Sequence, residues 1–187
     1  MRNLTVLMIV AAFCITGHAA KFEPLETNEI ESSTFKTWLG ETEKVRSDAK
    51  RMVDDNGYYY LSSGIYKIHF SENQSELKMI RQFVHFFGGY MTLSDMVDAG
   101  KVENVIVNDL VNAILPEAYY EYINGLISRD VHKIADNMFD ALRGNKNLVL
   151  YTYCASGRAY GNFAHCGIIV INYRTDELFE LGHGWSD

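Results

Sequence analysis

Behind the serine pair Ser32 and Ser33, apolar residues recur at helical spacing: Phe35, Trp38, Leu39, Val45, Ala49, Met52 and Val53 share one face until Asp54, Asp55, Asn56 and Gly57 break the pattern. Serines suit the N-cap, and a polar, glycine-ended break suits a stop, so the pattern predicts a helix. Lys21 to Ile30, ahead of it, form a polar lead-in without period. Beyond the helix the period changes to two. Tyr66, Ile68 and Phe70 alternate with Lys67 and His69, and Tyr58 to Leu61 is a second such run, so Ser62, Ser63 and Gly64 read as the turn of a hairpin.

The middle third returns to the helical period. Ser75 opens a segment with Leu77, Ile80, Phe83, Val84 and Phe87 on one side, closed by Gly88 and Gly89. Thr92 and Asp95 have the spacing of a capping box, which predicts a short helix ending at Gly100. Val102 to Leu115 reads as an apolar helix stopped by Pro116, a residue that suits the first turn of a following helix carrying Tyr119, Tyr122 and Ile123. Ser128 caps the last one, with Val131, Ile134, Ala135, Met138, Phe139 and Leu142 in register until Gly144 and Asn145.

The C-terminal part is β-patterned over Leu148 to Cys154, Ile168 to Tyr173 and Leu178 to Leu181, with a turn at Arg174 to Glu177. Ile168, Ile169, Val170 and Ile171 are apolar at successive positions, as in a strand buried on both faces. The predicted fold is α+β: an N-terminal helix and β-hairpin, a middle helical layer and a C-terminal antiparallel sheet, in a single domain over 21–187. With 48% hydrophobic residues and only 2 prolines in 187, the chain has enough apolar surface to order itself without a metal.

Residues 1–20 have the make-up of a secretory signal peptide. Arg2 supplies the basic start, Leu4 to Thr16 the short apolar run, and Gly17, His18, Ala19 and Ala20 a small-residue cleavage region. Cleavage after Ala19 puts Gly17 and Ala19 at the two positions that need small side chains; cleavage after Ala20 puts His18 at one of them. The apolar run is shorter than the roughly 20 residues needed to span a bilayer, so no permanent membrane anchor is expected. Removing it takes one basic and no acidic residue, moving the formal charge from −7 to −8. An acidic domain disfavours nucleic acid and suits a basic protein partner.

Cleavage leaves Cys154 and Cys166, and in an oxidising compartment two thiols so close in sequence read as a disulfide. In the chain-entropy account such a closure stabilises the fold by about 3 kcal/mol. Between them lies a segment with Arg158, Tyr160, Phe163 and His165, residue types that include those enriched at binding hot spots. A loop held at both ends loses little conformational entropy on binding. The order strand, Cys154, loop, His165 beside Cys166, Gly167, strand resembles the disulfide-clamped loop of Ivy-type periplasmic lysozyme inhibitors. The resemblance covers this segment alone; the loop here is longer and helices precede it. It implies a loop that binds an enzyme, with His165 entering the enzyme's cleft.

Two other constellations contain reactive residue types. His165, His183, Asp187 and Cys166 are metal-ligand types without a ligand spacing, and Cys154 or Cys166 beside His165 or His183 is the raw material of a thiol nucleophile that a disulfide would silence. His69, His85 and His132, and the carboxylates Asp54, Asp55, Glu177 and Glu180, read as solvated or structural. Tyr58, Tyr59, Tyr60, Tyr119, Tyr120 and Tyr122 read as packing residues, and Asn73 opens a glycosylation sequon. There is no phosphate loop, nucleophile elbow, zinc-binding helix motif or basic stripe. The expectation is a non-enzymatic exported binding protein, periplasmic or secreted, acting as an inhibitor or immunity protein on another protein, with no cofactor and no metal. The alternative is a small secreted hydrolase or toxin using His165 and His183.

Overall fold

The structure is a computed structural model that describes residues 19–52, 59–72, 74–88, 92–98, 110–111, 114, 126–157 and 163–186. Six strands form one antiparallel sheet: β1 (Lys21–Pro24), β2 (Tyr59–His69), β3 (Thr92–Asp98), β4 (Leu148–Gly157), β5 (Phe163–Asn172) and β6 (Glu177–Ser186), in the order β1-β2-β6-β5-β4-β3. Among the described residues, the helices α1 (Ser33–Met52), α2 (Glu76–Gly88) and α3 (Leu126–Gly144) accompany it. The chain is α+β, as its periodicity implies. No described helix is long and apolar enough to cross a membrane.

Helices cover both faces of the sheet. Phe35, Trp38, Leu39 and Val45 of α1 and Val131, Ile134, Ala135, Met138 and Leu142 of α3 pack on Ile65, Leu150, Ile168, Val170, Phe179 and Leu181. Met79, Ile80, Phe83 and Val84 of α2 pack on the reverse side against Ile68, Tyr151, Tyr153, Ile169, Ile171 and Leu178. Successive side chains of a strand point to opposite faces, so β5 feeds Ile168 and Val170 to one core and Ile169 and Ile171 to the other. This is why its apolar run is unbroken, each isoleucine contributing roughly 1.5–3 kcal/mol by burial. Aromatic contacts lock the layers. Phe179 of β6 meets Phe35 and Trp38 of α1, each at 5.6 Å between ring centroids, and Phe83 of α2 meets Phe22 at 5.1 Å and Tyr66 at 4.9 Å.

Three elements differ from expectation. Ser62, Ser63 and Gly64 do not turn; they lie inside β2, opposite Gly182, Leu181 and Glu180 of β6. Their polarity has an interior use, described below, and Gly64 leaves room for the Tyr66 ring, whose nearest atoms would stand 3.0 Å from an added Cβ. Lys21 to Pro24 is no free lead-in but an edge strand, with Lys21 opposite His69. Thr92 to Asp98, expected as a capped short helix, is instead the edge strand β3 on β4, with a register shift between Leu93 and Asp95. The open edge of β4 offers a ladder of backbone partners, whereas a helix this short is marginal by itself. Of the segment from Val102, Leu110, Val111 and Ile114 are helical and buried in the α1 core. The break at Asp54 to Gly57 and the helix through Tyr119, Tyr122 and Ile123 lie outside the described residues.

Glu177, expected in solvent beside the turn, is fully buried and fastens the start of α1 to the sheet. Its carboxylate accepts the backbone N–H groups of Glu31 at 2.6 Å and Ser32 at 2.9 Å and the hydroxyl of Thr175 at 2.8 Å. Ser32 Oγ in turn caps the helix, accepting the N–H of Phe35 and the amide of Asn172, both at 3.3 Å. The turn Tyr173 to Asp176 closes with Asp176 at φ 51°, a left-handed conformation that aspartate tolerates. Replacing Glu177 by Ala leaves three donors without their acceptor and is expected to cost about 2–3 kcal/mol, read as a lower urea midpoint with an unchanged slope.

Candidate functional site

Strands β4 and β5 form a hairpin whose register sets Cys154 directly opposite Cys166. The two cysteines form a disulfide, with their Cα atoms 4.1 Å apart. The strands continue past the bridge to Gly157 and Phe163, which are also paired, so only residues 158–162 lie between them. The segment expected as one long clamped loop is therefore a ladder with a disulfide rung near its end. The far ends of β6 and β2 lie alongside: Phe163 pairs with Ser186, and Trp185 with Tyr59. Arg158 and Tyr160 lie outside the described residues, and of Phe163 only the backbone is described.

His165 is placed on β5, one residue before the bridge, and is fully buried. This corrects the expectation of a histidine on the loop surface, because a side chain without exposed area has nothing to present to an enzyme's cleft. Its ring faces the α2 side of the sheet, where Ser62 of β2, Glu180 of β6 and Tyr153 of β4 converge on it. Tyr153 Oη donates to Glu180 Oε1 at 2.7 Å, Ser62 Oγ donates to the same carboxylate at 3.2 Å, and His165 Nε2 stands 3.1 Å from Glu180 Oε1 and 3.2 Å from Ser62 Oγ. Glu180 is also fully buried, contrary to its expected place in solvent. Each of these groups aims a donor at the carboxylate, which is how a buried carboxylate is accommodated.

Ser62, His165 and Glu180 are the residue types of a nucleophile relay, but their arrangement is different. A relay sets the hydroxyl on one ring nitrogen and the carboxylate on the other. Here both stand at Nε2, and these two acceptors assign the ring proton to that nitrogen. A protonated Nε2 takes no proton from Ser62, so the cluster works as a tie across four adjacent strands. Room for it comes from glycine. An added Cβ at Gly182 would stand 2.6 Å from His165 Nε2 and 2.9 Å from Glu180 Oε1, and one at Gly167, opposite Gly182 in the ladder, 2.7 Å from the Gly182 Cα.

The remaining candidates do not assemble. Cys166 is bonded to Cys154, which removes both thiolates from nucleophilic use. His183 pairs with Cys166 and follows Phe179 and Leu181 on the α1 side of the sheet, whereas His165 faces the α2 side. The two histidines therefore share no site. Asp187 lies outside the described residues, and among those described no three His, Cys, Asp or Glu side chains are grouped to hold a metal ion. His69 forms an exposed pair with Glu23 at 3.1 Å. A depression lined by Phe70, Ser71, Gln74, Glu76, Met79 and Tyr173 includes no member of the buried cluster.

Sequence reasoning missed Ser62, Tyr153 and Glu180. The available signal was a glutamate inside a β-patterned run, at Leu178, Glu180 and Gly182 on one face, next to glycines on two neighbouring strands. The charge of Glu180 reaches Tyr66 as well: burial first, and then that carboxylate, push the Tyr66 hydroxyl up to about 12. Comparison with protein-family models, with curated proteins and with solved structures finds no match for this chain.

Two outcomes follow from the cluster. Gly182→Ala forces a methyl into His165 and the Cys166 carbonyl and is expected to lower stability by about 2–3 kcal/mol, measurable by denaturant titration. Tyr66 stays protonated in the fold to a higher pH than in the unfolded chain, so its contribution is complete below about pH 10 and is lost as pH rises toward about 12. The midpoint of urea unfolding should fall across that window in the natural chain and fall less in Tyr66→Phe.

Proposed function

We propose that this chain is an exported, non-enzymatic binding protein that engages another protein through the tip of the β4–β5 hairpin, as an inhibitor or immunity protein does. The observation that carries this reading is the disulfide between Cys154 and Cys166, set close beneath the tip. It fixes the two strands from which residues 158–162 depart, and a segment held at both ends has less freedom to lose when a partner closes on it. Arg158, Tyr160 and Phe163 are the contact residues of this reading, by their chemistry and their place in the hairpin. His165 is assigned a different part: joined to Ser62, Tyr153 and Glu180, it holds the strands beneath the tip.

The net charge of −8 once the leader is gone favours encounter with a basic protein, and the same sign disfavours nucleic acid. Export to a periplasm or to the medium is supported by the leader pattern of residues 1–20 and by the disulfide, a bond that persists in oxidising compartments. The rival reading, a hydrolase built on His165 and His183, asks two side chains on opposite faces of the sheet to act together.

Immobilised mature protein should retain a partner from the extracellular or periplasmic fraction of its source. The double variant Arg158→Ala, Tyr160→Ala should bind that purified partner about 30-fold more weakly, roughly 2 kcal/mol, with an unchanged melting temperature. Equal affinity of the double variant removes the tip as the contact. In the same preparations His165→Ala should lower the melting temperature, and loss of a hydrolytic activity at unchanged stability would support the rival reading.

A further inference from the structure

The first residues of the folded domain are fastened to helix α2. Ala20 is 9% exposed and belongs to the core on the α2 side of the sheet. Its backbone N–H donates to Gln74 Oε1 at 2.9 Å, and Gln74 Nε2 donates onward to Gln82 Oε1 at 2.5 Å. Strand β1 starts at the next residue, with Lys21 opposite His69. Ala19 is exposed. Of these two adjacent alanines, Ala20 is held by the fold and Ala19 is exposed, and the small-residue region allows a leader cut after either.

We infer that the leader is removed at the Ala19–Ala20 bond and that the new α-ammonium group of Ala20 keeps the hydrogen bond to Gln74. The inference rests on the export reading above. One water adds across the peptide bond, leaving a carboxylate on Ala19 and an amine on Ala20 that is protonated near neutral pH; an endopeptidase of the signal-peptidase class supplies the catalysis. An ammonium has three donors where the amide had one, so Gln74 Oε1 is still served. A cut one residue later would discard a buried alanine, leave Gln74 Oε1 without this donor, and put His18 where a small side chain is needed.

The test is the intact mass of the protein recovered outside the cytoplasm after expression of the whole chain with its own leader. The mass of a chain beginning at Ala20, less two hydrogens for the disulfide, is the expected result. An exported chain that begins at Lys21, lighter by one alanine, overturns this inference and leaves export standing. An uncut chain that stays inside the cell overturns the export reading itself. As a second measurement, chains made to begin at Ala20 and at Lys21 are compared in urea: the folding equilibrium constant should be about fivefold larger for the first, and equal values would overturn the role of Ala20 in the fold.

Discussion

A sheet covered by helices on both faces has little solvated surface left for polar groups, and that constraint governs the rest of this molecule. Ile168 to Ile171 satisfy it by being apolar on both sides. Where a polar side chain does point inward from β2, β4, β5 or β6, it has to find a partner among its neighbours, since an unpaired buried carboxylate would cost several kcal/mol. Glu177 and Glu180 meet the requirement in different ways. The first takes backbone donors from the entrance to α1, and the second takes side-chain donors from three other strands. One joins a helix to the sheet; the other joins the strands to each other.

That arrangement gives the hairpin its footing. The Cys154–Cys166 bond ties β4 to β5 on one face, and the carboxylate of Glu180 gathers Ser62, Tyr153 and His165 on the other. Side chains on both faces thus hold the same stretch of sheet immediately below residues 158–162. Both sets of contacts are made by residues of the strands themselves, on either side of the 158–162 segment.

Much of this fold could be read from the sequence, and the failures have a common cause. Period alone located α1, α2, α3 and the three C-terminal strands, because each buries a face wide enough to repeat. The cysteine pair also paired as spacing suggested. Ser62, Ser63 and Gly64 misled because residues that favour turns also serve where a strand passes a buried acid or a large ring. Thr92 and Asp95 misled because a capping pattern reports a local preference, and a neighbouring strand edge outweighs it. Glu180 was illegible as an interior residue because its partners lie on other strands, at Ser62, Tyr153 and His165, and nothing in linear order sets them side by side.

The edges of the sheet have a consequence of their own. A β-sheet in a concentrated or crowded exterior invites other chains to add a strand, the usual route to aggregation and to recognition by backbone pairing. Here one boundary is the four-residue β1, which ends in Pro24, a residue with no N–H to offer, and the other is β3, whose ladder slips between Leu93 and Asp95. Both ends of the array are poor templates for an incoming strand. Among the described strands, the borders thus limit growth of the sheet by main-chain pairing.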